Sequence, residues 1–253
     1  MNENLNKNTP QTSNGTDDFC PVGAVVSLPS PDFDLFGEVP VRTISFNESE
    51  IIHNILRLHV PGQQIDLDPT YSIGNFYKGL RVKPKYKYDI NPQCEGVLQS
   101  DCRQLPFGAE EINSIMFDPP FLCGIPTSEE TMGIMKKRFS TFKNIPELWK
   151  FYSEALQEFY RVLAPNGVII FKCQDTIDSS KQYLSHVYII NEAERVGFYC
   201  KDLFVYCVRN RIIDKPEQQH ARKFHSYYLV FKKVKIKIDH ARRYNGVAIV
   251  RQN

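Results

Sequence analysis

IPELWKFYSEALQEFYRVLAPNGVIIFKC, residues 145–173, sets two structural elements back to back and decides the architecture of this 253-residue chain. Leu148, Phe151, Tyr152, Ala155, Leu156, Phe159 and Leu163 recur at steps of three and four, which places them on one face of a helix over 145–163. Ala164-Pro165-Asn166-Gly167 is a helix stop. The run 167–173 (GVIIFKC) then reads as a buried strand.

The same alternation extends in both directions. Upstream strand candidates are 64–68, 85–90, 96–99 and 113–117, and downstream ones are 202–208 and 226–232. A helix over 182–197 ends in Gly-Phe before the sixth strand. Another begins at Asn47-Glu48-Ser49-Glu50, which has the form of a capping box, and carries Ile51, Ile52, Ile55, Leu56 and Leu58 until Pro61-Gly62. Alternating units of this kind predict an α/β fold with a doubly wound, mostly parallel sheet. No internal repeat is present. Residues 1–18, rich in Asn, Thr and Ser, are expected to be a disordered tail, and 19–45 a Pro-rich irregular arm. The domain is expected over 46–233. A basic extension follows over 234–253, or a hairpin turning at Tyr244-Asn245-Gly246.

The net charge of +2 hides an asymmetry. Residues 201–253 hold 13 Lys and Arg against 4 Asp and Glu, so the remainder is acidic. Such a block fits a polyanion partner, or else a solvated basic tail. The seven cysteines form no CxxC pair and no ligand-spaced cluster with histidine. They read as reduced core thiols of a cytoplasmic protein, and no metal is expected. No apolar run is long enough to span a membrane, and no secretory leader is visible.

The chemistry concentrates at Ile115-Met116-Phe117-Asp118-Pro119-Pro120-Phe121, where a buried strand runs into a rigid turn. Ligands of open α/β sheets sit at that edge. The turn can hold the Asp118 carboxylate and the Pro119 carbonyl in fixed relation, with Phe121 beside them. Two such acceptors gripping the N–H groups of a conjugated amine would draw its nitrogen toward tetrahedral geometry and aim the lone pair at an electrophile. An aromatic face could stack on the base. The plain alternative is a structural Pro-Pro turn. Asp68, Pro69 and Thr70 follow the first strand in a turn that ends at Gly74, suited to close approach by a ligand. Asp89 ends the second strand, where nucleotide-binding sheets place an acid for ribose hydroxyls, or where a solvated acid would equally sit. Asp101 and Cys102 follow the third strand, and Asp101 offers an acceptor for an adenine amine.

In this order the elements resemble the class I S-adenosylmethionine methyltransferases, specifically the amino-methyltransferases that modify adenine N6 and cytosine N4 in DNA. The likeness covers residues 42 to 233. It implies a Rossmann-like seven-stranded sheet, mostly parallel, with an antiparallel last strand. It also implies S-adenosyl-L-methionine as cofactor, Asp118-Pro119-Pro120-Phe121 as the catalytic motif, Asp89 on the cofactor ribose and Asp101 on its adenine. The helix after Phe46 stands where the family keeps a segment touching the methionine moiety. Arg161 to Gly167 resembles the family's approach to the fifth strand. His220 to Tyr228 resembles the segment that lines the target-base pocket.

The cofactor loop departs from the family, since Ser72 stands where a first glycine would fall. No long insertion offers a target-recognition domain, which leaves 122–144 and 209–225. The expected partner is nucleic acid, with DNA favoured, met by Arg209, Arg211, Lys215, Arg222, Lys223 and His225. His220 and His225 can equally cap the last hairpin, while Tyr227 and Tyr228 favour sheet packing. The expected activity is methyl transfer to an exocyclic base amine, N6 of adenine in DNA before others. The rivals are an RNA-base or protein-glutamine N-methyltransferase and a catalytically silent nucleic-acid-binding subunit.

Overall fold

The computed structural model describes residues 40–121, 123, 142–208, 220–221 and 223–234. In chain order the elements are β1 (Ile44–Ser45), α1 (Glu48–His59), β2 (Leu67–Asp68), β3 (Tyr86–Asp89), β4 (Leu98–Gln99), β5 (Ile112–Phe117), α2 (Ile145–Val162), β6 (Leu163–Cys173), β7 (Thr176–Asp178), β8 (Lys181–Tyr183), α3 (Ser185–Val196), β9 (Phe198–Cys207) and β10 (His225–Lys233). Eight strands share one sheet in the order β4-β3-β2-β5-β6-β10-β9-β1. Within it β10 runs antiparallel to β6 and β9, and the other pairings are parallel. From β4 through β9 this is the expected seven-stranded Rossmann-like sheet with its antiparallel last strand.

The eighth strand corrects the reading of residues 19–45 as irregular throughout. Ile44 and Ser45 pair with Val205 and Tyr206, and the Val205 N–H donates to the Thr43 carbonyl at 2.7 Å. An open edge on β9 would leave backbone groups without partners, and these two residues cover its C-terminal part.

Three other boundaries differ from expectation. The third helix begins at Ser185 rather than 182, because 181–183 pairs antiparallel with 176–178. The turn between them is Ser179-Ser180 with φ of 49° and 60°, a pair of left-handed residues without the usual glycine. The capping box of α1 is one-sided. Asn47 Oδ1 accepts from the Ser49 and Glu50 amides, but Glu50 accepts the Ser45 hydroxyl at 2.6 Å instead of reaching the Asn47 amide. The α2 stop also works differently: the helix closes on Leu163 in extended conformation, its amide donating to the Phe159 carbonyl, and the left-handed residue is Asn166 (φ 67°), three residues further on. Gly167 is needed because a Cβ there would come within 3.0 Å of the Asn113 carbonyl on the adjoining strand.

The pleat of the sheet sorts side chains onto two faces. Phe117, Ile169, Phe171, Leu229 and Phe231 face α2 and α3, while Met116, Val168, Ile170, Tyr228 and Val230 face α1. On the first face Phe117 meets Phe159 and Phe171 edge-on, each at 4.8 Å between ring centroids. The Lys233 ammonium closes the far end, donating to the carbonyls of Tyr160 and Leu163 at 2.8 and 2.7 Å. Among the described residues no helix is long and apolar enough to cross a membrane. The expected tail over 1–18, most of the arm and the hairpin at Tyr244-Asn245-Gly246 lie outside the described residues.

Candidate active site

A cleft of about 390 Å³ opens at the carboxyl ends of β2, β3 and β5. Asp68, Pro69, Thr70, Asp89, Asp101, Cys102, Asp118 and Pro120 all border it. Expected residues from four separate stretches thus meet around one cavity. Pro119, Phe121 and Gly74 do not border it. Arg103, Phe142, Glu147, Phe151 and Phe76 do, and local pattern reading did not single them out for the site.

Asp68 is 2 % exposed, and its oxygens serve its own loop. Oδ1 accepts from the Thr70 amide and hydroxyl at 2.8 and 3.2 Å, and Oδ2 accepts from the Tyr77 hydroxyl at 2.7 Å. Burial raises this carboxyl to about 7, although the bonds from Tyr77 and Thr70 act the other way. Asp68 therefore shapes the loop.

Gly74 corrects the expectation of a ligand approach. It adopts φ 70° as the N-cap of a single 3₁₀ turn, Asn75–Tyr77, and a Cβ there would meet the Tyr71 hydroxyl at 2.6 Å and its ring at 2.8 Å. Its role is to turn the chain beside Tyr71, which stacks on Tyr77 at 5.5 Å. Ser72, at the place of the absent glycine, holds φ 52°. Its amide donates to Asp89 Oδ2 at 2.8 Å. The loop reaches the left-handed conformation with serine and is tied to β3 by that bond.

Asp89 Oδ1 accepts the Asn91 amide at 2.8 Å, so each carboxylate oxygen takes one backbone donor and keeps a second lone pair for a hydroxyl. Asp101 is more fully engaged. The Arg103 guanidinium grips both of its oxygens, the shortest contact being 2.6 Å, and lowers its pKa. Burial raises the Cys102 thiol, keeping it neutral. Ile73 and Ile90, 40 % and 50 % exposed, present apolar surface to the same cleft as Phe142 and Phe151. Paired acceptors beside apolar walls suit a nucleoside, whose sugar carries hydroxyls and whose base needs cover. The residues present fit such a cofactor.

The turn after β5 is held at both ends. Thr70 Oγ1 accepts the Asp118 amide at 3.1 Å, and the buried Tyr152 hydroxyl donates to the Pro120 carbonyl at 2.7 Å. The Asp118 side chain is 27 % exposed. Enclosure raises its pKa, and the Lys172 ammonium, 3.4 Å from Oδ2, opposes that rise. Lys172 in turn meets Glu48 at 2.8 Å, and Glu48 accepts the Tyr228 hydroxyl at 2.6 Å. Local pattern reading missed Lys172 and Glu48. The signal was a lone lysine inside the apolar run GVIIFKC, since a buried ammonium requires an anionic partner.

Of the basic residues expected at the mouth, Arg209, Arg211, Lys215 and Arg222 lie outside the described residues, as does most of 122–144. Lys223 is half-buried. His225 pairs its Nε2 with the Tyr227 hydroxyl at 2.9 Å, and His220 meets the Ser180 carbonyl at 3.2 Å. His220 thus meets the turn between β7 and β8, and His225 a neighbour on its own strand. Tyr228 is fully buried on the α1 face.

Comparison with known proteins adds a family. Residues 112–250, more than half of the chain, match the family model described as DNA methylase. No curated protein sequence matches. Solved structures resemble the chain at low identity. A candidate DNA modification methylase from Thermus thermophilus, complexed with S-adenosyl-L-methionine, is 16% identical, with 59% of this chain and 61% of that one covered and a TM-score of 0.38. A candidate sarcosine dimethylglycine methyltransferase from Galdieria sulphuraria is 14% identical over 74% of this chain and 85% of its own, with a TM-score of 0.46. A SAM-dependent methyltransferase from Thermotoga maritima is 13% identical over 72% and 92%, at 0.39. The chain spans less than two thirds of the Thermus protein.

Proposed function

The chain belongs to the DNA methylase family, and on that premise we propose that it transfers a methyl group from S-adenosyl-L-methionine to an exocyclic amino nitrogen of a nucleic-acid base, N6 of adenine in DNA. The observation that carries the reading is the turn after β5. It is pinned by Thr70 and Tyr152, and its Asp118 opens on the cleft that Asp89 and Asp101 border.

The cofactor supplies an electrophilic methyl when bound. Asp89 would take ribose hydroxyls with its spare lone pairs, while Ile90, Phe142 and Phe151 would cover the adenine. Asp101 accepts from Arg103 twice on each oxygen, so to meet the adenine amine it would exchange part of that grip for the new bond. The target base leaves its stack or is already unpaired. Asp118 accepts one N–H of its amine; by resemblance the Pro119 carbonyl and Phe121, which do not border the cleft, would reach the other N–H and the ring face from beside it. The nitrogen becomes cationic as the new bond forms, which strengthens both hydrogen bonds in the transition state. Asp118, raised by enclosure, is then suited to take the released proton. Adenine is preferred over cytosine because the motif opens with Asp, a family resemblance. The basic residues from Arg209 to Lys223 would hold phosphates.

The test is mass spectrometry of nucleosides from DNA and RNA incubated with protein and cofactor, beside Asp118→Ala and Phe121→Ala. N6-methyladenine in DNA is expected. Asp118→Ala should lower the rate about a hundredfold to a thousandfold with cofactor binding kept. Phe121→Ala should mainly weaken substrate binding, and Phe121→Trp should retain much of the activity. Methyl label in RNA or on glutamine would replace the substrate. A normally folded, active Asp118→Ala would remove the mechanism.

A further inference from the structure

We infer that Lys172, backed by Glu48, is the positioning residue of the catalytic turn: it takes Oδ2 of Asp118 and leaves Oδ1 facing the cleft for the amine that is methylated. The inference rests on the methyltransferase reading for its chemistry, and on the sheet for its geometry.

Three adjacent strands bring the groups into line. Phe117 pairs with Phe171, so Asp118 continues the register opposite Lys172, and Lys172 pairs with Tyr228 on β10. The pleat turns Met116, Ile170, Tyr228 and Val230 to the α1 face, and by the same alternation Asp118 and Lys172 turn there too. On that face the first turn of α1 delivers Glu48. The ammonium, 13 % exposed, lies 3.4 Å from Asp118 Oδ2 and 2.8 Å from Glu48 Oε1, with the rings of Phe76 and Tyr228 at 5.3 and 5.8 Å. Among the described residues Oδ1 of Asp118 receives no hydrogen bond.

The arrangement balances charge in a specific way. One ammonium serves two carboxylates, so the set carries one net negative charge. A lysine paired with Asp118 alone would cancel the charge that the methylated amine needs. Glu48 restores it, and the set becomes neutral when the target nitrogen turns cationic. The other titratable groups acting on Asp118 do not supply a cation. Asp68 ends β2, Tyr77 comes from the loop after it, Tyr152 from α2 and Tyr228 from β10. Burial holds the three phenols above their usual range. Burial also works against the charge of Lys172, but Asp118 and Glu48 outweigh it and its pKa is raised.

The two neighbours therefore act on Asp118 with opposite sign. Removing Lys172 should raise the Asp118 titration midpoint, and removing Glu48 should lower it. That opposition follows from charge alone; what separates positioning from a mere stitch between α1 and β6 is a kcat that falls in Lys172→Met and returns in Lys172→Arg with the fold and cofactor binding kept.

The experiment is a carbon-13 carboxyl NMR titration of the full chain, with the Asp118 signal assigned by its loss in Asp118→Asn. It compares wild type, Lys172→Met, Lys172→Arg and Glu48→Gln. Lys172→Met should move the midpoint up by roughly one pH unit or more. Lys172→Arg should restore it to within about half a unit of wild type, and Glu48→Gln should move it down. The acid limb of the methyl-transfer rate should follow the same order, with kcat affected more than the KM for cofactor. If Lys172→Met does not fold, a midpoint lowered in Glu48→Gln and kept in Lys172→Arg still decides. Unmoved midpoints, or shifts in one direction for both Lys172→Met and Glu48→Gln, overturn the inference. The titration needs no substrate, so a wild type without methyl transfer would sink the proposed function and leave this result standing.

Discussion

The Thr70 hydroxyl accepts the Asp118 amide at 3.1 Å while donating its own proton to Asp68 at 3.2 Å. One side chain thus joins the loop after β2 to the turn after β5, and under the proposed function a shared hydrogen-bonded unit would place cofactor and target amine together.

Thr70→Val keeps the shape and removes both bonds. It should cost about 1–3 kcal/mol of stability, because a buried acceptor and a donor lose their partner together. The methyl-transfer rate should fall with it. Thr70→Ser should stay close to wild type in denaturant unfolding and in rate. Equal behaviour of the Val and Ser variants would show that the hydroxyl does not couple the two segments.

Ser72 occupies a left-handed conformation at φ 52° with a side chain that has to be tolerated there. Relief of that strain by Ser72→Gly is worth about 1–2 kcal/mol. The added freedom of the unfolded chain offsets part of it, about 0.4–1 kcal/mol. A small rise in melting temperature is expected, with cofactor affinity kept, since the amide that reaches Asp89 remains. Ser72→Ala should bring no such gain. A fall in stability for the glycine variant would mean that the Ser72 side chain holds the loop.

Asp68 gives the fold a pH dependence of definite sign. Burial raises its folded pKa to about 7, whereas an unfolded Asp titrates at about 3.9. The folded protein binds this proton more tightly. The associated stability is complete below about pH 4 and is lost as pH rises through about 7. Asp68→Asn still accepts from Thr70 and cannot ionise. Its melting temperature should therefore gain on wild type from pH 4 to pH 8. Parallel curves across that range would show that Asp68 ionises alike in both states.

Neutralising Arg222 and Lys223 together should weaken DNA binding and reduce the slope of log affinity against log salt by up to about 2, with cofactor binding unchanged. Fluorescence anisotropy at several salt concentrations measures it. An unaltered slope would return the basic stretch to solvent.

Much of the fold was legible because β5, β6 and β10 are buried on both faces, and continuous apolar runs leave few alternatives. The cleft was legible where an acid ends a strand, as at Asp89, or where prolines mark a turn, as at Asp118. Pairings decided by tertiary contact were not. β1 is two residues long, and only the open edge of β9 makes it a strand. The hairpin of β7 and β8 turns on two serines, without the glycine that usually announces one. The pairing of Lys172 with Asp118 depends on register between strands 54 residues apart in sequence. That register is set by the packing of Phe117 against Phe171 and has no local signature.

Glu48 and Tyr228 meet across 180 residues of chain, and this separation bears on the order of events during synthesis. The strands β2 to β6 can pair as they emerge, but α1 has no complete surface to rest on until β9 and β10 arrive. Closing so long a loop is entropically the slowest kind of contact. The charge set around Asp118 is therefore expected to assemble among the last features of the molecule. A nascent or truncated chain that stops short of β10 would present a partly formed sheet with its acidic turn exposed, and under the proposed function it would not transfer methyl until that last strand docks.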